Sequence, residues 1–323
     1  MLRTCWFSLV VSLCVGVVAC EAGGGSDMGQ AERSSALGRP TGASHVAGSL
    51  RLQPRSGWVR LNQTGPDMFS PRFSPDGLWV AGAGRGGRGL YLAEASGKVP
   101  VAAVSATHLG PWVWTAGPVE LRFAEDFGPA KAFDPVRRMV AERGEERPWV
   151  RPMDDELGEL LQDGQRGRWH HHPWRGTVTH TPIGKRARLV AAEDAWGAAV
   201  SPDGRYLAFS RGLLSDSRFF VHDSEKGVTR ELGPGVHPAW MPELGIVIYA
   251  VPSGVERVGG MANVTGSELW LYDFQSGRHL ALTATLDMAE MEPALAPRGD
   301  ALVFSDWRGG GIWRASLVQG GAP

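Results

Sequence analysis

The sequence contains little cysteine and no excess of charge, and both features exclude classes of protein. The cysteines are Cys5, Cys14 and Cys20, all within the first twenty residues. If that segment is a removed export signal, one cysteine is left and no disulfide can form within a mature chain, which excludes a disulfide-built scaffold. The 33 basic residues nearly balance the 34 acidic ones, so the composition gives no argument for nucleic acid as a partner.

Long hydrophobic runs are also scarce, and the clearest one stands at the start. Residues 1–19 have a single charge at Arg3, followed by an uncharged apolar run. That run is shorter than the roughly 20 residues that span a bilayer, so it indicates a secretory signal peptide. The segment ends in Val-Val-Ala-Cys, which resembles the lipobox of bacterial lipoproteins and predicts lipidation of Cys20. The alternative is an ordinary cleaved signal in which this cysteine has no role.

Residues 20–55 contain few large apolar side chains and are rich in glycine, serine and alanine. Such a segment cannot bury a core, so we interpret it as a flexible tether behind the lipidated cysteine. Acyl chains contribute about 0.8 kcal/mol per buried methylene and would hold the protein on a membrane of the bacterial cell envelope. Glu21, directly after the cysteine, favours the outer membrane over retention in the inner one.

A short frame recurs in the rest of the chain: Pro-x-Φ-x-Pro-x-Gly, where Φ is large and apolar. Its copies begin at Pro71 (PRFSPDG), Pro111, Ala198 (AAVSPDG), Pro238 and Pro293, with a degenerate copy at Pro148. The main spacings are 40, 87, 40 and 55 residues, and a period near 40 with Gly and Pro punctuation is typical of β-propeller blades. In the Ser-Pro-Asp-Gly copies, Pro fixes φ, Asp bonds its own backbone and Gly takes a positive φ, which predicts a tight turn between two strands.

The sequence therefore predicts an all-β fold, a six-bladed β-propeller over residues 56–318 with a tail at 319–323. The last unit stops after its third strand, whereas residues 56–64 match the pattern of a fourth strand. We expect this N-terminal strand to complete the last blade by pairing with residues 312–318, which closes the ring and hides its edges. Seven blades are the alternative if residues 148–197 hold more than one irregular unit.

These repeats resemble the WD40-like repeats of TolB-type β-propellers, whose blades contain P-x-[FW]-S-P-D-G followed by an IAF-like and an LYxxD strand. The matching segments are PRFSPDGLWVAG with GLYLAEASG, AAVSPDGRYLAFS with RFFVHDSEKG, and ELWLYDFQSGR. The resemblance implies an architecture more than an activity. The chain has no room for an α/β domain of the TolB N-terminal type, and a lipid anchor replaces TolB's free periplasmic state, so TolB's partners are not expected here.

Two predicted loops interrupt the repeat. One covers residues 153–174, with a short helix expected at DELGELLQ, and the other covers residues 252–267 and contains Arg257. Long loops in a regular repeat are often functional, so recognition is expected here. The first loop contains the run Trp169, His170, His171, His172, Pro173 and Trp174. Alternate histidines of an extended chain share one side and can hold a metal ion with an acid from elsewhere, and the tryptophans can stack on a sugar or peptide. The plainer alternative is a polar loop packed down by two tryptophans.

A second candidate site is the ring of positions just before each first strand, which tends to crowd the mouth of a propeller's central channel. These positions are Ser70, Gly110, Arg147, Gly197, His237 and Glu292, with His108 and Glu290 nearby. His237 and Glu292 come from neighbouring units and can meet, either as a hydrogen-bonded structural pair or as a catalytic or metal-binding one.

The sequence has no nucleophile elbow, zinc-protease helix or phosphate loop. Residues 84–89, GRGGRG, open no helix and are predicted to be a hairpin loop. We therefore favour a non-enzymatic lipoprotein that binds a protein, peptide or glycan of the envelope through its loops, without a cofactor or metal. The alternative is a hydrolase or lyase acting on polysaccharide or peptide, which needs two carboxylates, or an acid and a base, within about 10 Å at the channel mouth.

Overall fold

The folded part of the chain is built from antiparallel β-strands. The computed structural model describes residues 50–63, 65–116, 119–125, 131–135, 139–142, 159–164, 166–172, 175–242, 245–258, 261–274 and 276–319. The predicted signal peptide, Cys20 and most of the predicted tether lie outside these residues. Within them, no helix is long and apolar enough to cross a membrane.

The strands form five sheets, which we label A to E. Two short strands come first: β1 (Leu50–Leu52) and β2 (Val59–Arg60). Sheet A contains β3 (Met68–Phe73), β4 (Trp79–Gly84), β5 (Arg88–Glu94), β6 (Ala102–Ala116), β7 (Val119–Glu125), β8 (Lys131–Asp134) and β9 (Met139–Glu142). Sheet B contains β10 (Glu159–Gly164), β11 (Gly167–His172), β12 (Thr177–Thr181) and β13 (Arg188–Ala191).

The remaining sheets follow in chain order. Sheet C contains β14 (Trp196–Val200), β15 (Tyr206–Arg211), β16 (Arg218–Asp223) and β17 (Val228–Pro234). Sheet D contains β18 (Val236–Trp240), β19 (Ile246–Val258), β20 (Met261–Asp273) and β21 (Arg278–Ala281). Sheet E contains β22 (Glu290–Leu295), β23 (Ala301–Asp306) and β24 (Gly311–Gln319), and β1 and β2 pair with the outer side of β24.

Sheet A consists of two four-stranded halves that share one long strand. The first part of β6, up to His108, pairs with β5. Its second part, from Leu109, pairs with β7. Each half therefore has four strands in chain order, as sheets B, C and D do.

The recurring Ser-Pro-Asp-Gly segments form the predicted turn between the first two strands of a sheet. In the first copy, the Ser74 backbone N–H donates to Trp79 O at 2.9 Å, and Asp76 Oδ1 accepts from the Leu78 N–H at 3.0 Å. Gly77 has a φ of 74°, which a Cβ would disfavour. Sheet C repeats this turn at residues 201–205, where Gly204 has a φ of 73°. We call the end of the sheets that carries these turns the turn face, and the opposite end the bulge face.

The N-terminal strand pairs with the last sheet, as the sequence predicts. Val59 lies opposite Arg314 and Arg60 opposite Trp313. The Leu61 N–H also donates to Ile312 O at 2.8 Å. Strand β1 adds a pairing that the predicted boundary at residue 55 assigned to the tether, so the described residues are already paired at Leu50.

The core lies between neighbouring sheets rather than inside one sheet. Val303 and Ile312 of sheet E pack against Met68 and Val80 of sheet A, and all four are fully buried. The first and last sheets of the chain are thus held face to face by apolar contact. Similar buried clusters join sheets B and C, C and D, and D and E.

Of three predicted loop features, two take other forms and one is confirmed. The helix expected at DELGELLQ is wrong where it is described, because Glu159–Gly164 form strand β10 against β11. The loop expected at residues 252–267 is a continuation of strands β19 and β20, paired as far as Val258 and Met261. Residues 84–89 form the predicted hairpin connection, with Gly86 at a φ of 63°.

Candidate functional site

A repeated β-bulge places one residue in an unusual backbone conformation in four of the described first strands. The pairing register shifts at this point in β3, β6, β14, β18 and β22. Four bulge residues have a positive φ: Ser70 at 52°, Gly197 at 57°, His237 at 51° and Glu292 at 53°. Such bulges re-aim a side chain, and three of the four positions hold a residue with a Cβ although glycine suits the conformation best.

These bulge residues are the ring that the sequence singles out, although they lie inside the first strands rather than before them. Gly110 lies within the bulge of β6. Arg147 lies outside the described residues, so its predicted place in the ring stays a prediction.

Glu292 joins sheets E and A through a saturated carboxylate. Its Oε1 accepts from the Ser70 hydroxyl at 2.6 Å, and its Oε2 accepts from the Ser70 backbone N–H at 2.7 Å. Oε2 also accepts from Ser305 Oγ at 2.9 Å and Trp307 Nε1 at 3.1 Å. The side chain is buried. Four donors on a buried carboxylate fix its position.

His237 occupies the same position in the neighbouring sheet D but is bonded differently. Its ring lies between two tryptophans, with centroid distances of 5.6 Å to Trp196 and 5.9 Å to Trp307. Among the described residues, Nδ1 has no hydrogen-bond partner. Burial lowers the pKa of His237, and the Glu292 carboxylate opposes that lowering. The expected pair therefore meets electrostatically, and the described contacts include no hydrogen bond between the two.

A second acidic group lies two residues before Glu292. Glu290 is fully buried; its Oε1 accepts a hydrogen bond from the Thr285 hydroxyl, and its Oε2 has no partner among the described residues. Glu268 accepts from the Thr285 N–H at 2.8 Å. Burial raises the pKa of Glu290 to about 7, with a further rise from the Glu268 charge. Glu290 is thus a buried carboxyl group with a pKa near neutral pH.

The histidine run does not form the expected surface loop. Residues Gly167–His172 form strand β11, and Trp169 is fully buried. The Trp169 ring stacks on His180 at 4.0 Å, and its Nε1 donates to Gly204 O at 3.1 Å. A fully buried indole cannot stack on a ligand, so the structure does not support the predicted binding role of Trp169. The run is also a strand rather than the polar loop of the alternative.

The neighbouring histidines are also interior residues. His170 and His172 are at most 9% exposed, so they offer no open surface to a ligand. Trp174 lies outside the described residues. No group of three or more His, Cys, Asp or Glu side chains suited to a metal ion occurs in the described part of the chain.

Arg257, the remaining predicted binding residue, is exposed on the extended hairpin of β19 and β20. This hairpin rises on the bulge face, because it continues past the connection between the second and third strands of sheet D. It leans towards sheet E: Val264 is buried in the core cluster that contains Met288 and Ala289. The hairpin therefore stands beside Glu290 and flanks the bulge residues.

Sequence reasoning found Ser70, His237, Glu292 and Glu290 but missed the groups around them. Trp196 precedes a bulge glycine, and Trp307 follows strand β23 in the segment SDWRGG. Both positions adjoin repeat landmarks, which is the signal that could have placed them at the site. Glu268 carries no such signal, because its contact with Thr285 depends on how the hairpin folds.

Comparison with known proteins supports the fold. No family model matches the sequence, and no curated protein matches it. The structure is similar to an oligogalacturonate lyase in complex with manganese, with 14% identity, a TM-score of 0.53, and coverage of 84% of this chain and 96% of that one. A gluconolactonase from Xanthomonas campestris gives 14% identity and a TM-score of 0.53 over 88% and 99% of the two chains. A putative TolB from Agrobacterium tumefaciens has 13% identity and a TM-score of 0.50, with coverage of 82% of this chain and 97% of that one.

These similar structures are propellers, so the chain has a β-propeller fold. Identities of 13–14% show the fold alone. Whatever those proteins bind or convert does not follow for this chain from the similarity.

Proposed function

We propose that the protein is a lipoprotein of the bacterial cell envelope that displays a six-bladed TolB-type propeller and binds a protein, peptide or glycan at its bulge face. The two halves of sheet A and sheets B to E then supply the six blades. Strands β1 and β2 serve as the fourth strand of the last blade. The lipobox-like segment ending at Cys20 supports the anchor, and the tether supports display in the periplasm on the outer membrane.

One observation carries the binding role: His237 has an unpartnered Nδ1 between two tryptophans, beside a carboxylate that is already saturated. The nitrogen is itself buried, so a ligand would reach it by entering between the two tryptophans. The rings would then supply contact area and the nitrogen direction. Glu292 keeps the site rigid by joining sheets E and A. Arg257 on the adjacent hairpin adds a positive charge for an approaching ligand.

Cross-linking in cells tests the binding role. A photo-reactive amino acid replaces Arg257 on the bulge face in one strain, and Arg230, which is exposed on the outer strand β17, in a control strain. We expect an adduct of defined mass from the first strain alone, and its loss when His237→Gly is added. Equal adducts from both positions, or an adduct that His237→Gly leaves unchanged, would contradict a site at the bulge face.

The anchor is tested separately. Incorporation of a fatty-acid analogue and fractionation with the outer membrane are expected for the full chain. Both should disappear in Cys20→Ser. A soluble full chain without acyl label would refute the lipoprotein assignment and leave the binding test intact.

A second candidate function is a lyase or hydrolase acting at the channel mouth, and Glu290 is the observation that favours it. A buried carboxyl with a pKa of about 7 next to Glu268 resembles the unequal acid pairs of general acid–base catalysis. Oligogalacturonate is a reasonable first substrate, because a lyase of that substrate has a similar fold. Unsaturated product formed by the native chain but not by Glu290→Gln would favour the enzyme, whereas no product from either would favour binding alone.

A further inference from the structure

Exposed apolar side chains are distributed unevenly between the two faces. Among the described residues, the large apolar side chains that are strongly exposed are Leu78, Ile183, Leu189, Val228, Leu286 and Val318. All but Leu286 lie at or next to turn-face connections or at the end of β24 on that face. Leu286 lies before β22, at the bulge face. Among the described residues, the turn face thus has more exposed large apolar side chains than the bulge face.

The connection between β12 and β13 contains two of these exposed apolar side chains and also carries positive charge. Residues 183–189, Ile-Gly-Lys-Arg-Ala-Arg-Leu, are all exposed, with Ile183 at 70% and Leu189 at 61%. The segment contains three cations and no acid. None of Lys185, Arg186 and Arg188 forms an ion pair with another described residue. We call residues 183–189 the basic loop.

The turn face is continuous around this loop. Arg166, in the adjoining turn of sheet B, forms an ion pair with Glu225 in the next turn of sheet C. Another acid on this face, Asp203, accepts from Ser201 Oγ at 2.6 Å and from the Arg205 N–H at 3.1 Å. The cations of the basic loop therefore remain available to an external anionic surface.

The chain also enters the folded part on the turn face. Leu50 lies opposite Gln319 at the end of β24, and that end points the same way as the turn between β22 and β23. Because residue 49 leads directly back to the tether, the lipid on Cys20 would be attached from this side. A tether of about 30 residues has a root-mean-square reach of roughly 30 Å, short enough to keep the turn face close to the bilayer.

We propose that the basic loop docks the turn face on an anionic phospholipid surface. Cationic residues are attracted to anionic headgroups, and adjacent apolar side chains enter the interface between headgroups and acyl chains. Ile183 and Leu189 flank the three cations in that arrangement. The inference rests on the proposed lipid anchor, which raises the local concentration of the loop at the membrane. Docking turns the bulge face, with His237 and Glu292, away from the lipid and towards a ligand.

Vesicle sedimentation tests the docking without the anchor. The chain beginning at Glu21 contains every described strand, so it is mixed with vesicles of phosphatidylcholine alone or of phosphatidylcholine with phosphatidylglycerol. We expect partitioning to the anionic vesicles only. Lys185→Gln with Arg186→Gln should lower it roughly 25-fold, since each cation near the surface contributes about fivefold.

Matched variants on the opposite face are the control. Arg88 and Arg175 are exposed at bulge-face connections, so Arg88→Gln with Arg175→Gln removes the same charge and should leave partitioning unchanged. Likewise, Ile183→Ser should weaken it, whereas Leu286→Ser should not. Equal partitioning to both vesicle types, or equal losses from both double variants, would overturn the proposal.

The anchor and the docking fail in distinguishable ways. In the lipidated full chain bound to anionic vesicles, trypsin cleavage after Lys185 and Arg186 should be slower than on neutral vesicles, with cleavage after Arg88 unchanged. A normal acyl label at Cys20 with no such protection overturns the docking alone. Binding of the loop to an acidic protein, with no preference for anionic vesicles, would also overturn it.

Discussion

Glu290 provides the sharpest test of how the site is built. Its carboxyl group is fully buried, with one oxygen hydrogen-bonded to Thr285 and the other without a partner among the described residues. Burial raises its pKa from 4.5 to about 7, so the fold holds the proton more tightly than the unfolded chain does. The associated stability is present below the unfolded pKa and is lost as the pH rises through about 7.

Glu290→Gln is therefore expected to stabilise the protein at alkaline pH. Glutamine retains the shape and a carbonyl oxygen for Thr285 but carries no charge to bury. A rise from 4.5 to about 7 corresponds to roughly 3 kcal/mol at pH 8 and to less than about 1 kcal/mol at pH 5. For a domain of this size, about 2–4 °C per kcal/mol predicts a gain in thermal midpoint of roughly 6–12 °C at pH 8.

Thermal unfolding of the native chain and Glu290→Gln at pH 5 and pH 8 measures this difference. Glu256→Gln, an exposed position on the same hairpin, is the control and should show no pH-dependent gain. If Glu290→Gln unfolds at or below the native temperature at pH 8, the carboxylate is stable in its buried place, and the reasoning from desolvation fails. If the variant is more stable but no longer binds ligand or forms product, Glu290 is an acid that function requires although its burial destabilises the fold.

Three further outcomes follow from the structure. Burial lowers the pKa of His222 to about 4, so the fold favours its neutral form. The free energy of unfolding should therefore fall by roughly 3 kcal/mol as the pH drops from above the unfolded value of about 6.5 to 4. In His222→Gln, the free energy of unfolding should depend less on pH over this range. Gly77 has a φ of 74°, so Gly77→Ala should lower stability by about 1–2 kcal/mol, whereas Gly57→Ala tests a glycine without that φ. Leu61 is 3% exposed between sheets E and A, so Leu61→Ala should lower the free energy of unfolding by about 2–5 kcal/mol. Leu286→Ala, at an exposed position, should change it little in the same assay.

The turns were predictable from the sequence because their chemistry is local. Asp76 bonds the N–H two residues on, and Gly77 supplies the positive φ, so four letters specify the geometry wherever they recur. The pairing of Val59 and Arg60 with β24 was predictable for a related reason. A unit that lacked its last strand at one end of the chain had a matching strand at the other.

The histidine run and the long hairpin were not predictable in the same way. Trp169 and its neighbours resemble a polar loop in sequence, but the ring of His180 and the turn at Gly204, both distant in the chain, convert them into an interior strand. Residues 252–267 contain Pro and Gly, which favour a loop, yet cross-strand pairing and the burial of Val264 outweigh those local preferences. Contacts between residues on different strands and sheets decided both cases, and a single sequence does not display them.

The bulge positions allow a final test, because the same backbone conformation supports different side chains. Gly197 occupies it without a Cβ, whereas Glu292 and His237 accept a left-handed cost of about 1–2 kcal/mol each. Glu292 returns that cost through four hydrogen bonds, two to Ser70 of sheet A and two to Ser305 and Trp307 in or next to its own sheet. Glu292→Gly should therefore lower stability by several kcal/mol, at about 1–3 kcal/mol for each buried donor left unpaired.

His237 has ring contacts with Trp196 and Trp307, worth about 0.5–1.5 kcal/mol each, and an unpartnered Nδ1. His237→Gly relieves the backbone while it loses those contacts, so the net change in the free energy of unfolding should stay within about 1–2 kcal/mol. Parallel thermal unfolding of the two variants measures the contrast. Equal losses would show that His237 supports the fold as Glu292 does, which would remove the argument for a ligand. A stable His237→Gly chain that no longer forms the cross-link from Arg257 would mean that this strained histidine is kept for binding rather than for folding.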